Sequence, residues 1–191
     1  MAGPTTSTRH PVGASYVVRA SGGWVDEDGF ARDRFGVPLA TRDGCGQLNR
    51  SAALARETPP HAVEISTPLI ALTSKWSYKF FHWTIEALPR LALVQTDLAD
   101  RGARLLTSCK GGLAKGSLAL VGVSDQRRVI CWRPGRVYRS PEIIWPEPSP
   151  CGGVRHAAAQ VLRRSALPPM LRPLPAIPRL RSAKTVLLYQ R

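Results

Sequence analysis

The chain reads as an α/β protein organised around a mainly parallel sheet, and three observations carry that reading. Between residues 63 and 132, short apolar runs alternate with helical patterns in the order strand, helix, strand. Such alternation argues for parallel strands joined by right-handed helical crossovers, a Rossmann-like layer. Leu69-Ile70-Ala71-Leu72 contains no polar position, as in a strand covered on both faces. Finally, 191 residues of 43% hydrophobic composition suffice for one domain with a substantial core.

Taken in order, residues 1–13 are expected to form a disordered tail, and residues 14–62 a small β-rich segment and loop. Tyr16-Val17-Val18 and Gly22-Gly23-Trp24-Val25 read as two short strands, followed by turn chemistry at Asp26-Glu27-Asp28-Gly29. Gly44, Gly46 and Pro59-Pro60 mark residues 41–62 as a loop crossing to the main body.

The Rossmann-like lobe spans 63–167. It opens with strands at Val63-Glu64-Ile65 and Leu69–Leu72, then a helix running through Leu91, Val94 and Leu98 and stopped by Gly102. A strand at 103–107, a helix at 113–121 and a strand at 128–132 follow. Val137-Tyr138 and Ile143-Ile144-Trp145-Pro146 read as short extended runs separated by Ser140-Pro141. Residues 153–167 read as an amphipathic helix, with Val154, Ala158, Val161 and Leu162 inward. Residues 168–182 form a proline-rich, semi-rigid linker, and 183–191 carry a final apolar strand.

Chemistry concentrates in Trp76–Leu91. On a helix His82, Glu86 and Arg90 lie one above another, a polar stripe on a segment rich in Trp, Phe, Ile and Leu. A histidine and a carboxylate against an apolar wall suit general acid or base work, and an arginine can hold a phosphate or carboxylate bidentately. The structural alternative is a Glu86–Arg90 ion pair along the helix, with His82 bonded to a neighbouring carbonyl. Pro89 removes a backbone hydrogen bond and bends the axis. Lys75 and Lys79 flank the carboxyl end of the 69–72 strand, where parallel sheets gather ligands.

The run Phe80-Phe81-His82-Trp83-Thr84-Ile85-Glu86-Ala87-Leu88-Pro89-Arg90-Leu91 resembles the signature of glycosyltransferase family 61. An aromatic pair precedes a histidine and a further aromatic, an acid follows three residues on, and Leu-Pro-Arg and an aliphatic close it. Ser77 or Tyr78 stands where the family has an asparagine. The resemblance implies a two-lobed fold of the GT-B type, of which this chain holds the first lobe, apparently truncated, with 183–191 opening the second. It implies inverting transfer from a nucleotide-sugar donor, commonly UDP-linked, to a glycan or glycoprotein hydroxyl, without a metal or other cofactor. It makes Glu86 or His82 the catalytic base and Arg90 a group that binds a charged substrate or braces Glu86; Tyr78, Trp83 and, from its place at the strand end, Lys75 are the further substrate-binding candidates. A Golgi or other secretory lumen is implied in a eukaryote and the cytoplasm in a bacterium. A lobe of this kind is expected to be inactive alone; the alternatives are a non-catalytic glycan- or partner-binding relative and, ranked below it, a basic nucleic-acid-binding module. Asp26-x-Asp28, superficially like the metal-holding pair of other transferases, reads instead as a solvated turn.

The net charge is +14. Residues 1–100 hold 10 basic and 10 acidic side chains, whereas 101–191 hold 17 basic and 3 acidic ones. That surface attracts nucleic acid, an acidic glycan or a diphosphate. Aromatics interleaved with those cations are few, which counts against a nucleic-acid stacking platform, and no nucleic-acid partner is expected. Of the 27 cations 22 are arginine, a bias that codon usage in a GC-rich genome also produces without any ligand. Lys110-Gly111-Gly112 lacks the Gly-Lys-Ser/Thr ending of a nucleotide-binding loop and reads as the start of a helix. Cys45, Cys109, Cys131 and Cys151 form no Cys-x-x-Cys pair and are expected as thiols rather than as zinc ligands or disulfides. No apolar run reaches the roughly 18 residues that cross a bilayer, and residues 1–12 lack a signal-peptide core.

Overall fold

The computed structural model describes residues 16–26, 28–39, 55–57, 59–73, 76–109, 112–147 and, as backbone, 185–187. The expected tail, most of the 41–62 loop, the 153–167 helix and the 168–182 linker lie outside them. Among the described residues eight strands form one mixed sheet: β1 (Val17–Val25), β2 (Ala31–Asp33), β3 (Val63–Glu64), β4 (Leu69–Ala71), β5 (Arg104–Thr107), β6 (Val129–Cys131), β7 (Tyr138–Pro146) and β8 (Thr185–Leu187). The path across the sheet is β2-β1-β7-β4-β5-β6, with β3 beside β7 and β8 beside β1.

From β7 to β6 the pairings are parallel, while β1 runs antiparallel to β7 and β2 antiparallel to β1. The expected α/β class with parallel strands is therefore present. The chain steps outward from β4 to β5 to β6, then returns to lay β7 on the opposite side of β4. In open α/β sheets such a reversal of strand order is where ligands gather.

Leu69, Ile70, Ala71 and Leu72 are fully buried, as an uninterrupted apolar run requires. Their side chains alternate between two cores. Ile70, Leu72, Leu105 and Ile144 face Trp83, Leu91, Val94 and Leu98 of the first crossover, and Ala114 and Leu118 of the second. Leu69, Ala71, Leu106 and Ile143 face Val25, Ala31, Trp132 and Tyr138 on the other side. Both crossovers thus cover one face.

Two expected interruptions do not break their strands. β1 is one nine-residue strand rather than two short ones, and β7 runs continuously through Ser140-Pro141. The register explains both. Gly23 pairs with Ser140 and Ser21 with Glu142, so Gly22 falls opposite Pro141, which has no N–H to offer. On the other flank of β7, Pro141 falls between the residues paired with β3 and those paired with β4, where the Ser140 hydroxyl donates to the Thr67 carbonyl at 2.8 Å. Every ladder around β7 is open at the proline, and the strand passes. Gly22 and Gly23 adopt positive φ angles, and a Cβ on Gly23 would lie 2.2 Å from the Arg32 carbonyl oxygen.

The hairpin turn after β1 is a buried charge site, not a solvated loop. Asp26 accepts from Arg32 Nε at 2.8 Å and from the backbone N–H of Phe30 and Asp28. Burial pushes the Asp26 carboxyl above its ordinary value, against the pull of Arg32 and those N–H groups.

The expected β-rich segment and the expected opening of a second lobe both join the same sheet. β1 and β2 pair directly or through one another with β7, and β8 runs parallel to β1 with Val17 opposite Thr185. The thiol expectation is corrected as well: Cys109 and Cys131 form a disulfide. Parallel pairing places Cys131 opposite Thr107, two residues before Cys109. Sequence spacing does not contain that register.

Candidate functional site

β4 ends at Ala71, and its exit leads through a turn at 76–79 into an irregular helical segment. The expected single helix is four pieces: an α turn (Phe80–His82), a π turn (Trp83–Ala87), a 3-10 stretch (Leu88–Leu93) and helix α1 (Gln95–Asp100). Pro89 is the physical cause. It has no N–H to give the carbonyl four residues back, so the Leu88 N–H reaches back five residues to the Trp83 carbonyl and a tighter coil begins at Leu88.

His82 and Glu86 come together. His82 Nδ1 donates to Glu86 Oε2 at 3.1 Å, with 21% of the histidine side chain exposed against 6% of the glutamate's. The carboxylate lies inside and the imidazole at the surface. Trp76 stacks near-parallel on the imidazole with centroids 6.2 Å apart, and Phe81 meets it edge-on at 5.6 Å. Tyr78 lies 6.4 Å from Trp76, and Lys79 Nζ sits over the Trp76 ring at 5.2 Å. Phe80, Phe81 and Tyr78 are the exposed rings of the segment. Trp76 is not among the site residues expected from sequence. It belongs to a turn closed by the Lys79 N–H on the Trp76 carbonyl at 2.9 Å, which no helical spacing reveals.

Arg90 and Trp83 have other placements. Arg90 is 3% exposed; its Nε donates to the Pro146 carbonyl at 2.8 Å and its Nη2 to the Ala71 carbonyl at 3.2 Å. Its guanidinium carbon lies 5.4 Å from the Trp145 ring centroid. The arginine therefore ties together the carboxyl ends of β4 and β7. Trp83, expected at the substrate, is in the core with its indole N–H donating to Ser117 Oγ at 2.7 Å, on helix α2 (Leu113–Leu120). One residue past His82, it faces the sheet while the histidine faces outward. Tyr78 stays exposed beside the histidine, and Lys75 lies outside the described residues.

Chemically, a neutral imidazole whose Nδ1–H is held by a carboxylate presents Nε2 as the basic nitrogen, and the carboxylate stabilises the imidazolium that forms on proton uptake. Among the described residues no group of three or more His, Cys, Asp and Glu is placed to hold a metal ion. Asp26 and Asp28 belong to the hairpin turn; their shared contact is the Asp28 N–H on the Asp26 carboxylate. No helix of the described residues is long and apolar enough to cross a membrane. The chain matches no protein-family model, no curated protein and no solved structure.

Proposed function

We propose that this chain carries the proton-accepting part of an inverting glycosyltransferase site, with His82 as the base and Glu86 as the residue that orients it. In that reaction His82 Nε2 takes the proton of an acceptor hydroxyl on a glycan or glycoprotein. The oxygen bonds to the anomeric carbon of a nucleotide-sugar from the face opposite the diphosphate, and the bond to the nucleotide diphosphate breaks with its electron pair. The single observation that carries the reading is the His82–Glu86 contact, with the carboxylate inside and the imidazole at the surface. Residues 80–91 support it by their resemblance to family 61, and the parallel order β6-β5-β4-β7 supports a Rossmann-like lobe of GT-B type. The Cys109–Cys131 bridge supports an oxidising compartment such as a secretory lumen.

The exposed Tyr78, Phe80 and Phe81 favour a second reading, a glycan-binding relative without turnover, in which these rings cover apolar sugar faces. One experiment separates the two. Native protein, Glu86→Gln and His82→Ala are assayed for nucleotide diphosphate release from a panel of UDP-sugars with glycan acceptors, and for acceptor binding without donor. For the enzyme, Glu86→Gln lowers turnover about 10²–10⁴-fold and leaves acceptor binding within about twofold. Donor-dependent release that survives both Glu86→Gln and His82→Ala sinks the catalytic reading.

A further inference from the structure

The connection from β6 to β7 closes on Arg133-Pro134-Gly135-Arg136, where the Arg136 N–H donates to the Arg133 carbonyl at 3.1 Å. Proline second and a positive-φ glycine third (Gly135, φ 76°) are the signature of a type II turn, which holds its first and fourth Cα atoms within about 7 Å. The turn is braced from below. Tyr138 Oη accepts from the Arg133 N–H at 3.2 Å and donates to the Cys131 carbonyl at 3.3 Å, and Cys131 is fixed to Cys109 by the disulfide. Arg133 and Arg136 both point from this mount into solvent.

These two side chains differ from the other described arginines, which have partners: carboxylates for Arg19, Arg32, Arg101 and Arg139, for example, and carbonyls for Arg90 and Arg104. Arg133 and Arg136 have neither acceptor nor ring among the described residues. Between residues 101 and 141 the sequence supplies one acid, Asp125, and Arg127 and Arg128 already engage it. Two unneutralised arginines are thus mounted at the two ends of one braced turn, just past the carboxyl end of β6.

We infer that the Arg133–Arg136 turn is a clamp for a tetrahedral oxyanion, a phosphate or sulfate ester group carried by a ligand. A planar fork from each end of the turn can reach paired oxygens of such a group, and the braced backbone lowers the conformational entropy lost on binding. The site shares no residue with the His82–Glu86 pair and stands or falls separately from it.

The test uses the full chain at low salt, with the arginine Nε–Hε signals followed by NMR during titration with inorganic pyrophosphate, UDP and a sulfated disaccharide. Saturable shifts of Arg133 and Arg136 are expected with at least one ligand. In the R133Q/R136Q variant the affinity falls about tenfold or more, while R127Q, whose arginine is paired with Asp125, binds as the native chain does. The preferred ligand tells whether the ester is a diphosphate or a sulfated sugar. Unmoved signals, binding retained in R133Q/R136Q, or an equal loss in R127Q overturns the clamp, the last by showing a general charge effect.

Discussion

At the scale of single residues, the polar stripe read from sequence divides into two roles. His82 and Glu86 stay together because a spacing of four survives a π turn well enough for a 3.1 Å contact. Arg90 goes elsewhere, since the coil tightens at Leu88 and rotates it toward the strand ends. A lysine cannot hold the Pro146 and Ala71 carbonyls and reach over the Trp145 ring at once, so Arg90→Lys should cost about 2–4 kcal/mol in urea unfolding. A variant of native stability would instead show that these contacts do not hold the strand ends together. Asp26 gives a pH signature. Because burial raises its carboxyl above the ordinary value, the stability it contributes is complete below that value and is lost as pH rises through the raised one. Asp26→Asn does not titrate, so the native-minus-variant difference in Tm should shrink as pH rises above about 4. A difference that widens with pH would show the Arg32 attraction outweighing the burial.

At the scale of elements, most strands and both crossovers are legible from apolar runs and breakers, and what the sequence conceals is continuity. Gly22-Gly23 and Ser140-Pro141 are strong local stop signals, yet they lie opposite one another, so each covers the other's defect within a shared ladder. Only the pairing discloses this. Conversely, one proline was enough to foresee a bend in the 76–98 helix but not its conversion into π and 3-10 turns, which depends on how the freed carbonyls are satisfied. The double glycine can be tested directly. Gly23→Ala puts a methyl into the Arg32 carbonyl at a φ of 153° and should cost about 2–3 kcal/mol in thermal unfolding. Gly22→Ala, whose methyl meets Arg34 Cβ at 3.5 Å, should cost about 1 kcal/mol. Equal costs would mean that β1 does not pass straight through this pair.

For the whole molecule, one sheet gathers segments that composition assigns to separate regions. The N-terminal hairpin, the parallel core and Thr185–Leu187 share it, and a charge cluster reinforces the join: Arg19 of β1 and Arg101 both reach Asp97 of α1 and Glu142 of β7. The disulfide closes the far side, joining residues 22 apart. A loop of that length is worth about 3 kcal/mol in chain entropy, so Cys109→Ser/Cys131→Ser, or reduction of the native chain, should lower stability by that amount. A urea midpoint indifferent to dithiothreitol would argue that the two thiols are not joined. Cysteine spacing could not forecast this, because long-range register rather than local sequence brings the two sulfurs together. The arginine seated at the strand ends matters for ligand discovery. A compound library aimed at the backbone carbonyls at the strand termini would find Arg90 already seated there, so screening is better directed at the outer aromatic shelf beside His82, where flat ring-bearing scaffolds should gain their first hold.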